Sequence, residues 1–391
     1  MKITGIVCEY DPFHNGHRYL AERARSFSDA VVCVMSGNAT QRGGFAIADK
    51  YTRAEMALRG GADLVLELPY PYSSASAEYF ATAGVSVLAS VGADHICFGS
   101  ESGDVSRLQK AAALAGNLAL SDTVGATGAA TEYFAALGEA YRASYGEALA
   151  VESNDILGIA YCKAILEGGY AMTPIAVTRQ GDGFRAQAVG DTPFASATAI
   201  RAALRADGID GISAYVPEET ARLLKESMAR GEAPVDGDRL EAAILAFFRL
   251  ADPETLCGIA ELGNGLEHRL YEAAREACGL SDFFARAATK KYTDARIRRA
   301  VLYAMTGVLP SDLRAPVGYT TVLAANGTGC ELLSALRKKE NAIPVVTKPA
   351  DGKSVSPRQY ELSFAMESLF ALAAPKIHGA GESVRKMPMI L

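Results

Sequence analysis

His14 and His17, three residues apart in the string Glu9-Tyr10-Asp11-Pro12-Phe13-His14-Asn15-Gly16-His17, have the type and spacing for chemistry on charged oxygens. Residues at i and i+3 of a helix share one face, and Arg18-Tyr19-Leu20-Ala21-Glu22-Arg23-Ala24 reads as the helix they would open. Two imidazoles there can hydrogen-bond phosphate oxygens and stabilise charge that develops during displacement at phosphorus. The helix start adds unpaired backbone N–H groups and the positive end of a dipole. Gly16 lacks the Cβ that would hold a ligand away from the backbone. The same spacing also serves as a metal pair or an ordinary helix cap. Position favours a nucleoside triphosphate: the pair follows the apolar run Ile3-Thr4-Gly5-Ile6-Val7-Cys8, a buried first strand, and ligands of α/β sheets gather at the carboxyl ends of strands. His95, His268 and His378 are the other histidines and no Cys-x-x-Cys occurs, so the sequence assigns no metal site.

Four further segments could face the same ligand. Met35-Ser36-Gly37-Asn38-Ala39-Thr40-Gln41-Arg42-Gly43-Gly44 follows the second strand. Its small residues allow close approach, and Arg42 is a candidate partner for phosphate or carboxylate; as structure alone it is a flexible loop. In Phe98-Gly99-Ser100-Glu101-Ser102, Gly99 would let a flat base lie on the backbone, while Ser102 could cap the next helix. In Glu152-Ser153-Asn154-Asp155-Ile156-Leu157, Asn154 could read a base or ribose, or Ser153, Asn154 or Asp155 could be an N-cap. Arg179 follows an apolar strand, and Ala195-Ser196-Ala197-Thr198-Ala199-Ile200-Arg201 is a serine-led helix entry with an arginine one turn inside. That entry can bind outer phosphates or be a plain capped helix. Walker A, a Rossmann G-x-G-x-x-G after the first strand and Gly-x-Ser-x-Gly are all absent, which disfavours P-loop chemistry, hydride transfer and a serine nucleophile elbow.

Strands at Ile3–Cys8, Ala30–Met35, Leu64–Leu68, His95–Phe98 and Thr173–Thr178 alternate with helices over Lys50–Arg59, Ser76–Val91, Val105–Leu114 and Asp155–Glu167. That alternation predicts an α/β fold with an N-terminal parallel sheet covered on both faces. Helical spacing over 213–307 predicts a helical module, and 316–391 a small C-terminal α/β unit with Thr320–Ala324, Cys330–Arg337, Pro344–Val346 and a helix over Gln359–Ala373. The chain of 391 residues thus divides at 1–210, 211–312 and 313–391. A net charge of −6 gives no global nucleic-acid signal. Arg286, Lys290, Lys291, Arg296, Arg298 and Arg299 against a single Asp294 make a local basic stripe, with Tyr292 placed to stack on a base; its plain alternative is a solvated helix face. Seven scattered cysteines imply a reducing cytoplasm without disulfides. No apolar run is long enough for a membrane span, so no membrane partner is expected. Nothing in the sequence specifies an oligomeric state.

The His-x-Gly-His turn with a late Ser-x-Thr-x-x-Arg helix resembles the nucleotidyltransferase superfamily, whose late motif is typically Ser-Ser-Thr-x-x-Arg. The longer strings resemble, more narrowly, the bacterial tRNA(Met) cytidine acetate ligase family. They are Glu9–His17, Val34-Met35-Ser36-Gly37-Asn38, Gln41-Arg42-Gly43, Asp63-Leu64-Val65-Leu66-Glu67-Leu68-Pro69, Phe98-Gly99-Ser100-Glu101, Ser153-Asn154-Asp155-Ile156-Leu157 and Lys290-Lys291-Tyr292-Thr293 through Arg299. Asp11 stands where that family usually has asparagine, and Ala195 and Ala197 replace Ile and Ser in the late motif. The resemblance implies a HUP, Rossmann-like nucleotidyltransferase domain and ATP-dependent acetylation, from acetate, of the wobble cytidine of elongator tRNA(Met). The intermediate would be acetyl-adenylate, with Mg2+ accompanying ATP. It implies ATP contacts along Val7, Cys8, Glu9, Tyr10, Asp11, Pro12, Phe13, His14, Asn15, Gly16, His17, Arg18, Tyr19 and Leu20, and at Gly99, Asn154 and Arg179, with His14 and His17 catalytic. Ser196 and Arg201 join them as candidate phosphate contacts, and Lys290, Lys291, Arg296, Arg298 and Arg299 as RNA contacts. A small-molecule adenylyl- or cytidylyltransferase, and a non-catalytic RNA-binding protein with a nucleotide pocket, are the alternatives.

Overall fold

Five apolar runs become parallel strands in the computed structural model, which describes residues 1–117, 129–180, 192–289, 291–337 and 342–391. They are β1 (Ile3–Cys8), β2 (Ala30–Ser36), β3 (Leu64–Leu68), β4 (His95–Ser100) and β5 (Thr173–Thr178). Every residue of β1, β2 and β3 is buried, as expected of strands covered on both faces. Their order is β5-β4-β1-β2-β3. The chain therefore reverses direction across the sheet between β1 and β4, and a crevice opens there at the carboxyl ends. The turn after β1 and Gly99 on β4 meet at this crevice.

Helices α1 (Asn15–Arg25), α2 (Lys50–Arg59), α3 (Ala77–Val91), α4 (Val105–Asn117), α5 (Ala129–Tyr145), α6 (Ser153–Gly168), α7 (Ala197–Asp207) and α8 (Glu218–Ala229) cover the faces. A Cβ on Gly84 of α3 would stand 2.8 Å from Val7 Cγ1, so glycine is what lets that helix lie on β1. The helical stretch carries α9 (Glu241–Leu250), α10 (Pro253–Leu256), α11 (Leu266–Glu276), α12 (Leu280–Ala287), α13 (Asp294–Thr306) and α14 (Pro310–Arg314). Its core of Phe248, Phe283, Ile297 and Tyr303 continues into Leu362, Met366 and Phe370 of a later helix, and into Tyr70 and Ala75 of the first part. Packing thus crosses the expected boundaries at 210 and 312.

The C-terminal unit forms as β6 (Thr320–Ala325), α15 (Gly327–Leu336) and β7 (Val345–Val346), followed by α16 (Gly352–Val355), α17 (Pro357–Ala373) and β8 (Met389–Ile390). It is joined to the main sheet: β6 pairs antiparallel with β3, and parallel with both β7 and β8. Its placement follows from burial. An uncovered β3 edge would expose unpaired backbone groups, and β6, wholly buried, covers it.

Arg53 of α2 is completely buried. Nε donates to Ala48 O (2.9 Å), Nη1 to Glu9 O (2.5 Å), and Nη2 to Ser36 O (3.1 Å) and to Gly37 O. One guanidinium therefore holds the backbone leaving β1 and the backbone leaving β2. Arg53→Ala would leave those carbonyls without their buried donor, and we expect a loss of about 3–5 kcal/mol. Urea denaturation of Arg53→Ala and Arg53→Lys checks this. Lysine, which cannot fork, should recover less than half of the loss.

Candidate active site

The turn after β1 is shaped by its own aromatic residues. Tyr10 adopts φ +49, an uncommon left-handed conformation for a large side chain. It is held there by burial of its ring against Phe13 and His17, at centroid distances of 4.9 and 4.8 Å. His14 is the N-cap of α1. Its Nδ1 accepts from Gly16 N (3.1 Å), while His17 Nδ1 accepts from His14 N (3.3 Å). The two rings stack with centroids 3.6 Å apart. A Cβ on Gly16 would stand 3.0 Å from His14 Cε1, so the glycine preserves this ring position as well as access to the backbone.

Because each Nδ1 is an acceptor, the proton of each neutral imidazole lies on Nε2. The rings are neutral. Burial, reinforced by Arg179 and Arg201, pushes the His14 pKa down to about 3. Burial, His14 and Arg179 lower that of His17, with the Pro12 carbonyl opposing. The pair is therefore built to donate hydrogen bonds through N–H dipoles rather than to carry charge.

The cavity over this turn has a volume of about 420 Å³. Of the fourteen residues from Val7 to Leu20, it is lined by Val7, Cys8, Glu9, Tyr10, Asp11, His14, Gly16, His17, Tyr19 and Leu20. The other four serve the fold. The bond between Asp11 and Pro12 is cis. Phe13 packs where Gly60 leaves room for its ring, and Arg18 is exposed and paired with Glu22 at 3.0 Å. Asn15 Nδ2 donates to Pro193 O (2.9 Å) and Ala214 O (3.0 Å), tying α1 to the chain around α7.

Gly99, Asn154 and Arg179 line the opposite wall. A Cβ on Gly99 would be 3.4 Å from Arg179 Cγ, an ordinary contact distance, so the arginine side chain lies against this glycine. Burial lowers the Arg179 pKa while Glu101 raises it. Neither Ser153, Asn154 nor Asp155 is the N-cap of α6. That position is Glu152, and the capping acceptor is the Glu101 carboxylate, taking Asn154 N and Asp155 N at 3.1 Å each. Asn154 Nδ2 also donates to Glu101, at 2.5 Å. Its Oδ1 is thereby left as an acceptor in the cavity wall. Ser102 bonds Asp155 Oδ1 at 3.1 Å, and Asp104 accepts from Arg107 N at the start of α4.

The late motif departs from expectation. Ser196 caps α7 through Ala199 N (3.1 Å) and is not among the lining residues, whereas Phe194, Ala195 and Ala197 are. Arg201 lines the cavity, but its Nη1 is engaged by Asp11 O (2.7 Å) and Asp11 Oδ2 (3.1 Å). Asp11 also accepts from Ile47 N at 2.6 Å. An aspartate here thus supplies an ion pair that an asparagine could not, joining the first motif to the last.

The basic stripe divides. Arg296 and Arg299 turn inward onto one carboxylate, Glu261, at 3.3 and 2.8 Å. Tyr292 is buried with its hydroxyl on Asn264 O (2.7 Å), so it cannot stack on a base. Arg286 is held by Glu276 and Asp282. Lys291 is exposed and Arg298 is half-exposed beside Asp294, while Lys290 lies outside the described residues. Arg299 and Ala295 reach the cavity rim beside Gln41 and Arg42. Sequence reasoning did not assign Gln41, Ile156, Leu157 or Phe194 to the wall. Gln41, Ile156 and Leu157 stand inside quoted motifs, but apolar positions carry no signal distinguishing them from core.

Neutral burial of His14 has a cost on the acid side. In the unfolded chain the imidazole takes a proton near pH 6.5, whereas in the fold it does so only near about 3. The fold is thus unpenalised above pH 6.5 and loses up to about 1.4 kcal/mol per pH unit as pH falls through that window. His14→Asn, which keeps a capping oxygen, should flatten the dependence of stability on pH between 6.5 and 4.5. An unchanged slope in denaturant titrations would mean that His14 is not the neutral group described.

Residues 1–383 match the family described as HIGH Nucleotidyl Transferase. The tRNA(Met) cytidine acetate ligase of Syntrophomonas wolfei is 36% identical over 87% of this chain and 85% of its own. That of Acetivibrio thermocellus is 32% identical over 100% of both. The crystal structure of Thermotoga maritima TmcAL bound with alpha-thio ATP matches with a TM-score of 0.88 at 30% identity, covering 100% of both chains. The histidine turn, the crevice at β1 and β4 and these likenesses over the whole chain agree: it belongs to the tRNA(Met) cytidine acetate ligase family of HIGH nucleotidyl transferases, enzymes of the ligase class.

Proposed function

We propose that this ligase acetylates the wobble cytidine of elongator tRNA(Met), using acetate and ATP by way of acetyl-adenylate. The observation that carries the reading is the cavity itself. It is lined by His14 and His17 at a helix start together with Gly99 and Asn154, and by Ala295 and Arg299 of the helical stretch, which supports this reading. Acetate oxygen attacks the α-phosphorus of ATP and pyrophosphate leaves. The cytidine N4 then attacks the acyl carbon and AMP leaves. Transfer at phosphorus needs positioning and charge stabilisation more than a covalent nucleophile. His14 and His17 donate to phosphate oxygens, and Arg179 neutralises their charge. Asn154 Oδ1, an acceptor because Glu101 occupies its amide, meets the 6-amino group of adenine.

Among the described residues no group of three His, Cys, Asp or Glu could hold a metal ion. Magnesium in this reading arrives on the phosphates, and no step is routed through a protein-bound ion. Among the described residues no helix is long and apolar enough to cross a membrane.

Protein incubated with ATP, magnesium, labelled acetate and bacterial tRNA should yield labelled N4-acetylcytidine in elongator tRNA(Met), and acetyl-CoA should not replace acetate. His17→Ala should lower the rate about 10²- to 10³-fold, the worth of one donor to developing charge. Pyrophosphate released with a small phosphorylated acceptor, and no label in RNA, would instead favour a small-molecule nucleotidyltransferase. Glu101→Gln should raise the KM for ATP about tenfold, one hydrogen bond's worth, and narrow the preference for ATP over ITP. A preference that stays as wide as in the parent would remove Glu101 from base selection.

A further inference from the structure

Glu9, which the family resemblance counts among the ATP contacts, is joined to Gln41, a residue with no assigned role. Glu9 closes the carboxyl end of β1, and Gln41 lies in the loop after β2; both line the cavity on the side of Arg42 and Arg299. Glu9 Oε1 accepts from Gln41 N at 2.6 Å, which locks the two residues together. Glu9 Oε2 makes no hydrogen bond among the described residues. Gln41 Nε2 is a buried donor with no partner. An orphaned buried donor of this kind costs about 1–3 kcal/mol, and its residue lines the cavity, where a ligand acceptor would relieve that cost. The wall therefore presents a carboxylate acceptor beside an amide donor.

We propose that Glu9 and Gln41 are the subsite for the acceptor base: the Glu9 carboxylate accepts from the exocyclic amine of an extruded cytosine, and the Gln41 amide donates to its ring N3. The pairing rests on the ligase reading above. A carboxylate is the ordinary acceptor for the cytosine 4-amino group, and it repels the O4 of uracil, which offers a lone pair in the same place. Position supports a second role. As N4 attacks the acyl carbon, a C–N bond forms and the bond from that carbon to the AMP phosphate oxygen breaks. Its electron pair leaves with AMP, and the N4 proton passes to Glu9 Oε2 and then to water. Burial and the neighbouring Asp11 raise the Glu9 pKa, against the Gln41 N–H and the charges of Arg201 and Arg53, which lower it; the net rise makes the carboxylate a stronger base than one in water. The rim is suited to a polynucleotide, since Arg42 is exposed there and Arg299 Nη1 approaches Gln41 O at 3.5 Å.

The two half-reactions separate the possibilities. Acetate-dependent exchange of label between pyrophosphate and ATP reports activation, and single-turnover acetylation of tRNA(Met) reports transfer. Glu9→Gln should slow transfer at least 30-fold more than exchange, and should abolish the rise of the transfer rate with pH. Gln41→Ala, which keeps the backbone N–H to Glu9, should raise the KM for tRNA about tenfold and change kcat by less than threefold. A transcript carrying uridine at the target position should bind the parent protein more weakly than the cytidine transcript, and Glu9→Gln should narrow that gap. Equal losses of exchange and transfer in Glu9→Gln would move Glu9 to the activation step and overturn the proposal. So would an unaltered transfer rate or an unaltered uridine gap. Absence of both half-reactions in the folded parent protein would overturn the ligase reading, and this subsite with it.

Discussion

A single buried guanidinium sets the geometry on which the site depends. The residues that do chemistry leave β1 and β2 as irregular backbone, and irregular backbone inside a protein must find hydrogen-bond partners or lose its place. Arg53 supplies them, since its donors take carbonyls from Glu9, Ser36, Gly37 and Ala48. A buried charge of this kind is stable only when its donors are satisfied, so the arginine and the two turns constrain one another. A second buried cation repeats the device: Lys50 pairs with Glu67 at 2.7 Å and Glu367 at 3.1 Å. Asn38 donates to Glu367 and accepts from Lys50 N. Through these bonds the loop after β2 is fixed to α17, more than three hundred residues away in sequence. Thr320 of β6 donates to Glu67 O at 2.7 Å, so the antiparallel attachment of β6 to β3 supports the same network.

Electrostatics in the cavity follow from the same economy of burial. Two arginines near two histidines would be mutually repulsive if all four were charged. The imidazoles yield, because a neutral imidazole loses little on burial whereas a guanidinium scarcely ever loses its proton. The result is a positive field from Arg179 and Arg201 acting on two stacked, neutral imidazoles. That combination favours a polyanion, even though Arg201 keeps the Asp11 carboxylate as its own partner. Asp11 keeps Arg201 from swinging into the space a ligand would take.

Much of this was legible in the sequence where local rules apply. The buried strands, the histidine turn and the contrast between α/β and helical stretches all follow from periodicity and punctuation, and the structure places them within a residue or two of expectation. Legibility failed where a residue's partner lies far away in the chain. Ser153, Asn154 and Asp155 are good N-cap types, yet the cap comes from Glu101, some fifty residues earlier. Tyr292 has the composition of a stacking platform but fills a core position. Lone elements such as α5, α12 and β8 were not resolved, since a short or weakly patterned segment carries little periodic signal.

The basic stripe shows how a correct composition can mislead about geometry. Glu261, itself at φ +66, collects Arg296 and Arg299 and fixes the start of α13 against the loop at Gly43. An arginine held by a carboxylate gives up much of its attraction for phosphate but gains a fixed position, and Arg299 uses that position to form the cavity rim. Long-range attraction for a polyanion then falls to exposed cations such as Arg42 and Lys291. In a chain of net charge −6 these few groups must act against a repulsive background, one that salt screens along with the attraction. In the function proposed above, recognition of a nucleic acid would rely on the shape of the rim and the groups inside it more than on the number of phosphates neutralised.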